Sequence, residues 1–416
     1  INGSITNISA KKDLSGDFDF ERGSAATRVN AQGLVENVQI LSSELVQNGN
    51  FSEIGSEEVS NGDFSQEGAE QVVNGDFATD SNWSKGTGWT ISGGKANSDG
   101  VSGASPIYQN IGAATVGTNY KIQLVVSNYT SGTLVAAYGG ASATPITSNG
   151  SYTFYIQATS TDANTSYLSY NFIGSIDNVS VKEVGQDWNL GDGWSIGDGV
   201  ALRANYSTNS AVGQTIPIVN GRTYEFSYTR NYLSGFGITN IYVKLDNVNY
   251  TTLGNYSSTV VEEHTVTGTF TAGFTGNINW YVYGINDFTG SITNISVKEV
   301  GQYWTFGNGW SYGNGNAIAS SGSGTDTKLT QANTLNGKFT KVSLSVSNYG
   351  GSGLVLVDFG STASSSITSN GTHTLYGTYD QNDFQIFKTA DFSGSIDNVS
   401  VKEITDDTDL PRINYE

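Results

Sequence analysis

Three features of the sequence predict an all-β chain of tandem two-layer sandwiches. One closing segment recurs as Gly174-Ser-Ile-Asp-Asn-Val-Ser-Val-Lys-Glu-Val184, Gly290-Ser-Ile-Thr-Asn-Ile-Ser-Val-Lys-Glu-Val300 and Gly394-Ser-Ile-Asp-Asn-Val-Ser-Val-Lys-Glu-Ile404. Within it Val179 and Val181 alternate with Ser180 and Lys182, the period of a half-buried strand. The copies lie roughly 100 residues apart, a spacing that marks an array of domains. No long stretch shows a 3.6-residue apolar period, and β-branched and aromatic residues are parted by Gly, Asn and Ser turns. About eight short strands in each segment, sealed by such a ribbon, fit a jelly roll.

Composition narrows the function. The chain has 416 residues with Gly 52, Tyr 23, Phe 18 and only Pro 4, so its turns rely on Gly and Asn. Lys+Arg 19 against Asp+Glu 38 leaves a net charge of −19. That balance argues against nucleic acid or an anionic membrane as partner, and no 18-residue apolar run is present for membrane insertion. Cys is 0, which excludes disulfides and thiolate metal sites and leaves each sandwich to be held by its core. Met is also 0. With its opening inside a repeat's last strand, the sequence is expected to be a piece of a longer chain.

In order, residues 1–11 (Gly3-Ser-Ile-Thr-Asn-Ile-Ser-Ala10) match only the end of a repeat and read as the last strand of an upstream copy. Residues 12–43 differ in character. Their stretch Ser24-Ala-Ala-Thr-Arg-Val-Asn30 with Gly33-Leu-Val35, together with Asp409-Leu-Pro-Arg-Ile-Asn-Tyr415 near the far end, resembles a segment of bacteriophage tail-fibre and virion-surface proteins. In those proteins the two parts follow closely, so the repeats look like an insertion between two halves of one element. The resemblance implies a virion-surface or extracellular location and other virion proteins as neighbours.

Residues 44–77 hold a tighter repeat: Glu44-Leu-Val-Gln-Asn-Gly-Asn-Phe51, Glu57-Glu-Val-Ser-Asn-Gly-Asp-Phe64 and Glu70-Gln-Val-Val-Asn-Gly-Asp-Phe77. Each couples a short strand to an Asn-Gly turn. A unit this short cannot enclose a core. It must lie on a neighbouring domain, stack across chains or form a stiff spacer. A homotrimeric or other homo-oligomeric stalk that buries the three phenylalanines is the expectation.

Three domains follow, at 72–184, 185–300 and 301–404, with a tail at 405–416. They share the opening motifs Trp83-x5-Trp89, Trp188-x5-Trp194 and Trp304-x5-Trp310. A residue placed alike in every copy beside a strand is expected in the core, so these tryptophans are not offered as sugar platforms. Asn-Gly-Asp-Phe, a following Gly-x-Gly-Trp and the terminal Ile-Asp-Asn-Val-Ser-Val resemble the galactose-binding-like, carbohydrate-binding-module sandwiches. The resemblance implies a jelly-roll fold and cell-surface polysaccharide as a partner. It also implies a structural Ca²⁺ tying first strand to last, for which Asp76 and Asp177 are the matching groups in the first domain. The second domain has Thr293 at the Asp177 position, and the second and third lack the Asn-Gly-Asp-Phe opening.

For a glycan, the face of Asn277-Ile-Asn-Trp-Tyr-Val-Tyr283 that carries Asn279, Tyr281 and Tyr283 is expected to point outward, where rings stack on a pyranose and an amide hydrogen-bonds it. Tyr167 in the first domain and Phe387 in the third are taken as its counterparts. No catalytic residue is expected. His264 and His373 sit in no nucleophile or metal motif, and the adjacent Glu262 and Glu263 face opposite ways on a strand. An adhesive or architectural protein follows, with spacer, capsid decoration or a polysaccharide-binding region of a secreted adhesin or enzyme as alternatives.

Overall fold

A computed structural model describes residues 27–29, 35–37, 40–204, 208–234, 238–245, 249–257, 263–285, 288–322, 327–361, 366–389 and 391–405. Every regular element among them is a strand. Residues 1–11, the tail beyond 405 and most of the virion-like segments lie outside this set. Within those segments Thr27–Val29 pairs antiparallel with Val35–Asn37.

The chain forms two compact units, 54–300 and the sequence around it, 1–53 with 301–416. The first unit holds two jelly-roll modules and the second unit holds one. In module 2 a closing sheet runs Trp194–Gly197, Val200–Arg203, Thr289–Val300, Thr223–Ser234, Glu263–Thr271. A facing sheet runs Asn189–Leu190, Ser210–Ile218, Gly276–Ile285, Ile238–Leu245, Asn249–Ser257. Module 3 repeats the plan, with Trp304–Phe306, Thr327–Gln331, Phe384–Lys388 and Val355–Asp358 as its facing sheet. In module 1 the long strands Asn119–Tyr138 and Asn164–Val184 bend through both layers. All six paired tryptophans are core, none more than 8% exposed.

The closing strand carries a bulge where its sequence repeats Asn. Asn178, Asn294 and Asn398 have φ of 51°, 53° and 51°, a left-handed conformation that asparagine tolerates better than most residues. The pairing register shifts there in each module. The bulge turns the next N–H outward, toward the 13-residue repeats.

Those repeats do not form a stalk, and this corrects the expectation. Each is an arm laid along the second half of a closing strand, and the order is reversed. The arm at 70–77 belongs to module 1, that at 57–64 to module 2, and that at 44–51 to module 3. Backbone bonds Gln71 N to Val181 O (3.0 Å), Glu58 N to Val297 O (2.9 Å) and Leu45 N to Val401 O (2.9 Å) add each arm as an edge strand. Without it, half of the closing strand would present an unpaired edge. Phe77, Phe64 and Phe51 are buried within the chain's own sandwiches, their rings 5.0, 4.9 and 5.0 Å from Trp83, Trp188 and Trp304. The second and third modules therefore do possess the Asn-Gly-Asx-Phe opening thought missing. It is supplied from far upstream.

The modules are thus nested in sequence. Module 1 (67–184) interrupts module 2 (54–66 with 185–300), which interrupts module 3 (42–53 with 301–405). Nesting works because each body brings its own ends together: Glu67 bridges Val184, Ile54 pairs Val300, and Ile40–Leu41 pairs Ile404 and Thr405.

Candidate functional site

The facing sheets present the outward surface on which a ligand would lie. In Gly276–Ile285 the side chains of Ile278, Trp280 and Val282 are buried, Asn279 is exposed, and Tyr281 and Tyr283 are half-buried. The alternation matches the sequence expectation for this strand. The two tyrosine rings are 5.7 Å apart and inclined at 59°. Tyr281 lies flat over Gly213 of the adjacent strand: a Cβ there would stand 2.2 Å from its ring. Glycine is required at that point because the ring occupies the space a side chain would need. Thr215 Oγ1 donates to Asn279 Oδ1 at 2.7 Å and fixes the amide.

Equivalent positions in the other modules follow from one invariant. Gln109, Gln214 and Gln331 each clasp an arm, and they pair in register with Thr165, Trp280 and Phe384. Counting on, Leu168, Tyr283 and Phe387 are equivalent, as are Ser166, Tyr281 and Gln385. Phe387 is half-buried on the outward face. Tyr167 is a correction. It stands one residue out of phase, fully buried against Trp83 at 6.0 Å, and burial drives its phenol pKa far up. The period of two moves a one-residue misalignment to the opposite face.

Module 1 instead exposes Tyr108 (37%) and Tyr170 (44%), which were not singled out from the sequence. Tyr108 pairs with Ser166, the place where Gly213 pairs with Tyr281 in module 2. The same two-strand patch therefore carries one tyrosine in both modules, contributed by opposite strands. An alignment of single strands cannot show this; the cross-strand register does. In module 3 the patch beside Phe387 is polar. Lys328 Nζ donates to Gln385 Oε1 (2.6 Å) and Asp358 Oδ2 (3.0 Å).

The expected calcium ligands divide differently from the sequence reading. The Asp76 side chain turns back on its own loop, accepting Ala78 N at 3.3 Å. In module 2, Thr293 Oγ1 donates to Gly199 O (2.9 Å) and approaches Asp63 O at 3.5 Å. Asp177 and Asp397 occupy the Thr293 position in modules 1 and 3. They put a carboxylate, which accepts only, where module 2 has a hydroxyl donor among carbonyls. In those two modules the carboxylate accepts the next backbone N–H, Asn178 N to Asp177 Oδ1 at 2.7 Å and Asn398 N to Asp397 Oδ1 at 2.6 Å.

Among the described residues no group of three or more His, Asp or Glu side chains is gathered as a metal cluster. His373 Nε2 lies 3.0 Å from Ser369 O, and His264 and Glu263 are exposed; Glu262 lies outside the described residues. No helix of the described residues is long and apolar enough to cross a membrane.

No known family profile and no curated protein matches the sequence. Solved structures that superpose on parts of the chain include the following three. The tandem CBM22-1–CBM22-2 domain of Paenibacillus barcinonensis Xyn10C aligns at 9% identity over 60% of this chain and 99% of that one, with a TM-score of 0.23. Allantoicase from Saccharomyces cerevisiae aligns at 7% identity over 49% and 80%, with a TM-score of 0.22. The triple jelly roll of an archaeal virus turret aligns at 11% identity over 78% and 90%, with a TM-score of 0.20.

Proposed function

We propose that the chain is a virion-surface or extracellular appendage that presents nested jelly-roll modules for multivalent attachment to cell-surface glycans. The observation that carries this is the outward aromatic patch of the facing sheet, with Tyr108 in module 1 and Tyr281 in module 2 at one register position and Tyr283 beside Tyr281. Half-exposed rings on a rigid sheet stack on a sugar face while Asn279 supplies an amide. Single contacts of this kind are weak, and several modules on one chain raise avidity by about 10²–10⁴-fold. The resemblance of residues 24–35 and 409–415 to virion proteins supports the location. The net charge of −19 favours neutral or basic glycans over polyanions. A bound Ca²⁺ at Asp177 and Asp397 would stiffen modules 1 and 3 without taking part in recognition.

The test is a glycan array probed with the full chain and with Tyr108→Ala, Tyr281→Ala and Tyr283→Ala. Binding should fall at least about tenfold with Tyr281→Ala while melting stays unchanged, since these rings lie outside the core. Unaltered binding in all three variants would overturn the assignment. A second reading, an architectural protein without ligand, is favoured by the nesting itself, in which each module brings its own two ends together. An array on which the intact chain binds nothing supports that reading.

A further inference from the structure

The arm-binding groove makes the same contacts three times. The arm's Glu accepts a closing-strand N–H through Oε1: Val401 N to Glu44 at 2.6 Å, Val297 N to Glu57 at 2.7 Å and Val181 N to Glu70 at 2.9 Å. Its Oε2 accepts the preceding serine hydroxyl in each module. The groove Gln clasps the backbone N–H and C=O of one arm residue; for Gln331, its Oε1 accepts Gln47 N (2.7 Å) and its Nε2 donates to Gln47 O (2.8 Å). The arm's Asn carbonyl accepts the opening tryptophan's indole N–H at 2.9, 2.8 and 3.0 Å. The arm's Gly lies so close that a Cβ would meet the carbonyl oxygens of Val399, Ile295 and Val179 at 1.9, 1.9 and 2.0 Å. The Phe closes the site on the tryptophan.

Every side chain used here is one the three arms share. Of the three positions that differ, the one after the shared Glu is half-buried (Leu45, Glu58 and Gln71), with Gln71 Oε1 accepting the Tyr138 hydroxyl at 3.4 Å, and the other two are open to solvent. Gln47, Ser60 and Val73 are exposed and held through backbone alone, and Asn50, Asp63 and Asp76 are exposed. The contacts shared by all three arms leave the pairing of arm with module chiefly to where each arm is tethered.

We propose that each groove is a sequence-reading peptide site for the pattern Glu-x-Val-x-Asn-Gly-(Asn/Asp)-Phe, and that an arm from a second copy of the chain fills it when the module's own arm is withdrawn. The mode is β-augmentation, in which backbone bonds give affinity and side-chain pockets give selectivity. An emptied groove leaves an unpaired strand edge and an uncovered tryptophan, a strong drive for capture. The inference is independent of glycan binding.

Two measurements on the full chain test it. Gly49→Val evicts the arm of module 3 by collision with Val399 O. A labelled peptide of residues 55–66 should then bind that variant saturably at one site per chain. It should bind the unaltered chain, whose grooves are occupied, at least about tenfold more weakly, and the same peptide with Gly62→Val should not bind. Should Gly49→Val leave module 3 unfolded, a second variant decides: Leu45→Glu, Gln47→Ser and Asn50→Asp together write the second arm's pattern into the first. Its melting should stay within about 2 °C of the parent, because 1 kcal/mol of lost fit would lower it by about 4–8 °C in a domain of this size. The source of the ligand is read by sedimentation after refolding at high concentration. Arm-exchanged dimers are expected. Absence of peptide binding to a folded Gly49→Val chain, a lowered melt in the triple variant, or only monomers after concentrated refolding would each overturn the proposal.

Discussion

The indole N–H of Trp304 donates to the carbonyl of Asn48, a residue 256 positions upstream, at 2.9 Å. That bond links the first line of the chain to its last module and makes stability non-local. Phe51→Ala should destabilise module 3 by about 3–5 kcal/mol, the cost of emptying an aromatic site in a packed core, although the substitution lies far from residues 301–405 in sequence. Hydrogen exchange read segment by segment checks this. Protection should drop in Ser393–Thr405 and hold in Thr289–Val300. A loss confined to residues near Phe51 would mean the arm contributes nothing to its module.

The arm glycine separates close approach from backbone freedom. Gly62 has no left-handed φ, yet a Cβ on it would sit 1.9 Å from Ile295 O, a backbone atom that cannot step aside cheaply. Gly62→Ala should cost module 2 several kcal/mol, on the order of 3 or more, because overpacking against backbone displaces the whole arm. Gly273→Ala is the control: nothing lies within 4 Å of its Cβ, and its melting temperature should not move. Equal effects from both would refute the steric account.

Glu67 joins the arm of module 1 to the closing sheet by accepting from Lys121 at 2.6 Å and Lys182 at 2.9 Å. Hydrogen bonds from the two lysines hold its carboxyl below the ordinary glutamate range. A carboxylate more acidic in the folded than in the unfolded chain contributes stability above the unfolded pKa and loses it as pH falls through the folded value. Glu67→Gln should therefore lower stability at neutral pH by about 0.5–1 kcal/mol, the scale of partly exposed ion pairs. The difference should shrink to nothing under acid conditions below the carboxylate range. Denaturant melts of the two chains across that window measure it, and a gap that persists in acid would assign the effect to packing.

Much of this was legible in the sequence, and the part that was not has a physical cause. The alternation of Ile278, Trp280 and Val282 with Tyr281 and Tyr283 reports burial directly, since strand period fixes the face. The shared Glu, Val, Asn, Gly and Phe of residues 44–77 marks contact positions correctly. What it cannot report is which module each arm serves, because all three present the same groups and the choice rests chiefly on tethering. Nor could one strand's pattern reveal that Tyr108 takes the place of Tyr281, since the ring's location depends on which neighbouring strand leaves room for it. Tyr167 was misplaced for a related reason. Without the arm-clasping glutamines as a register mark, an offset of one residue is invisible.

Calcium should stabilise the modules unequally. The hydroxyl of Thr293 satisfies Gly199 O by donation at 2.9 Å, and Asp177 and Asp397 stand at the equivalent position. A carboxylate is a hard oxygen ligand of the kind calcium takes, and a threonine hydroxyl is a poorer one. Calcium at about 100 times its dissociation constant would add about 2.7 kcal/mol to a module that binds it. Segment-resolved hydrogen exchange with calcium and then with chelator should slow in Asn164–Val184 and Ser393–Thr405 and stay unchanged in Thr289–Val300. Thr293→Asp should make module 2 respond, and Asp177→Thr should silence module 1. Equal stabilisation of all three modules, or none, would remove the cation from these positions and leave Asp177 and Asp397 as turn-capping groups that accept the N–H bonds of Asn178 and Asn398 at 2.7 and 2.6 Å.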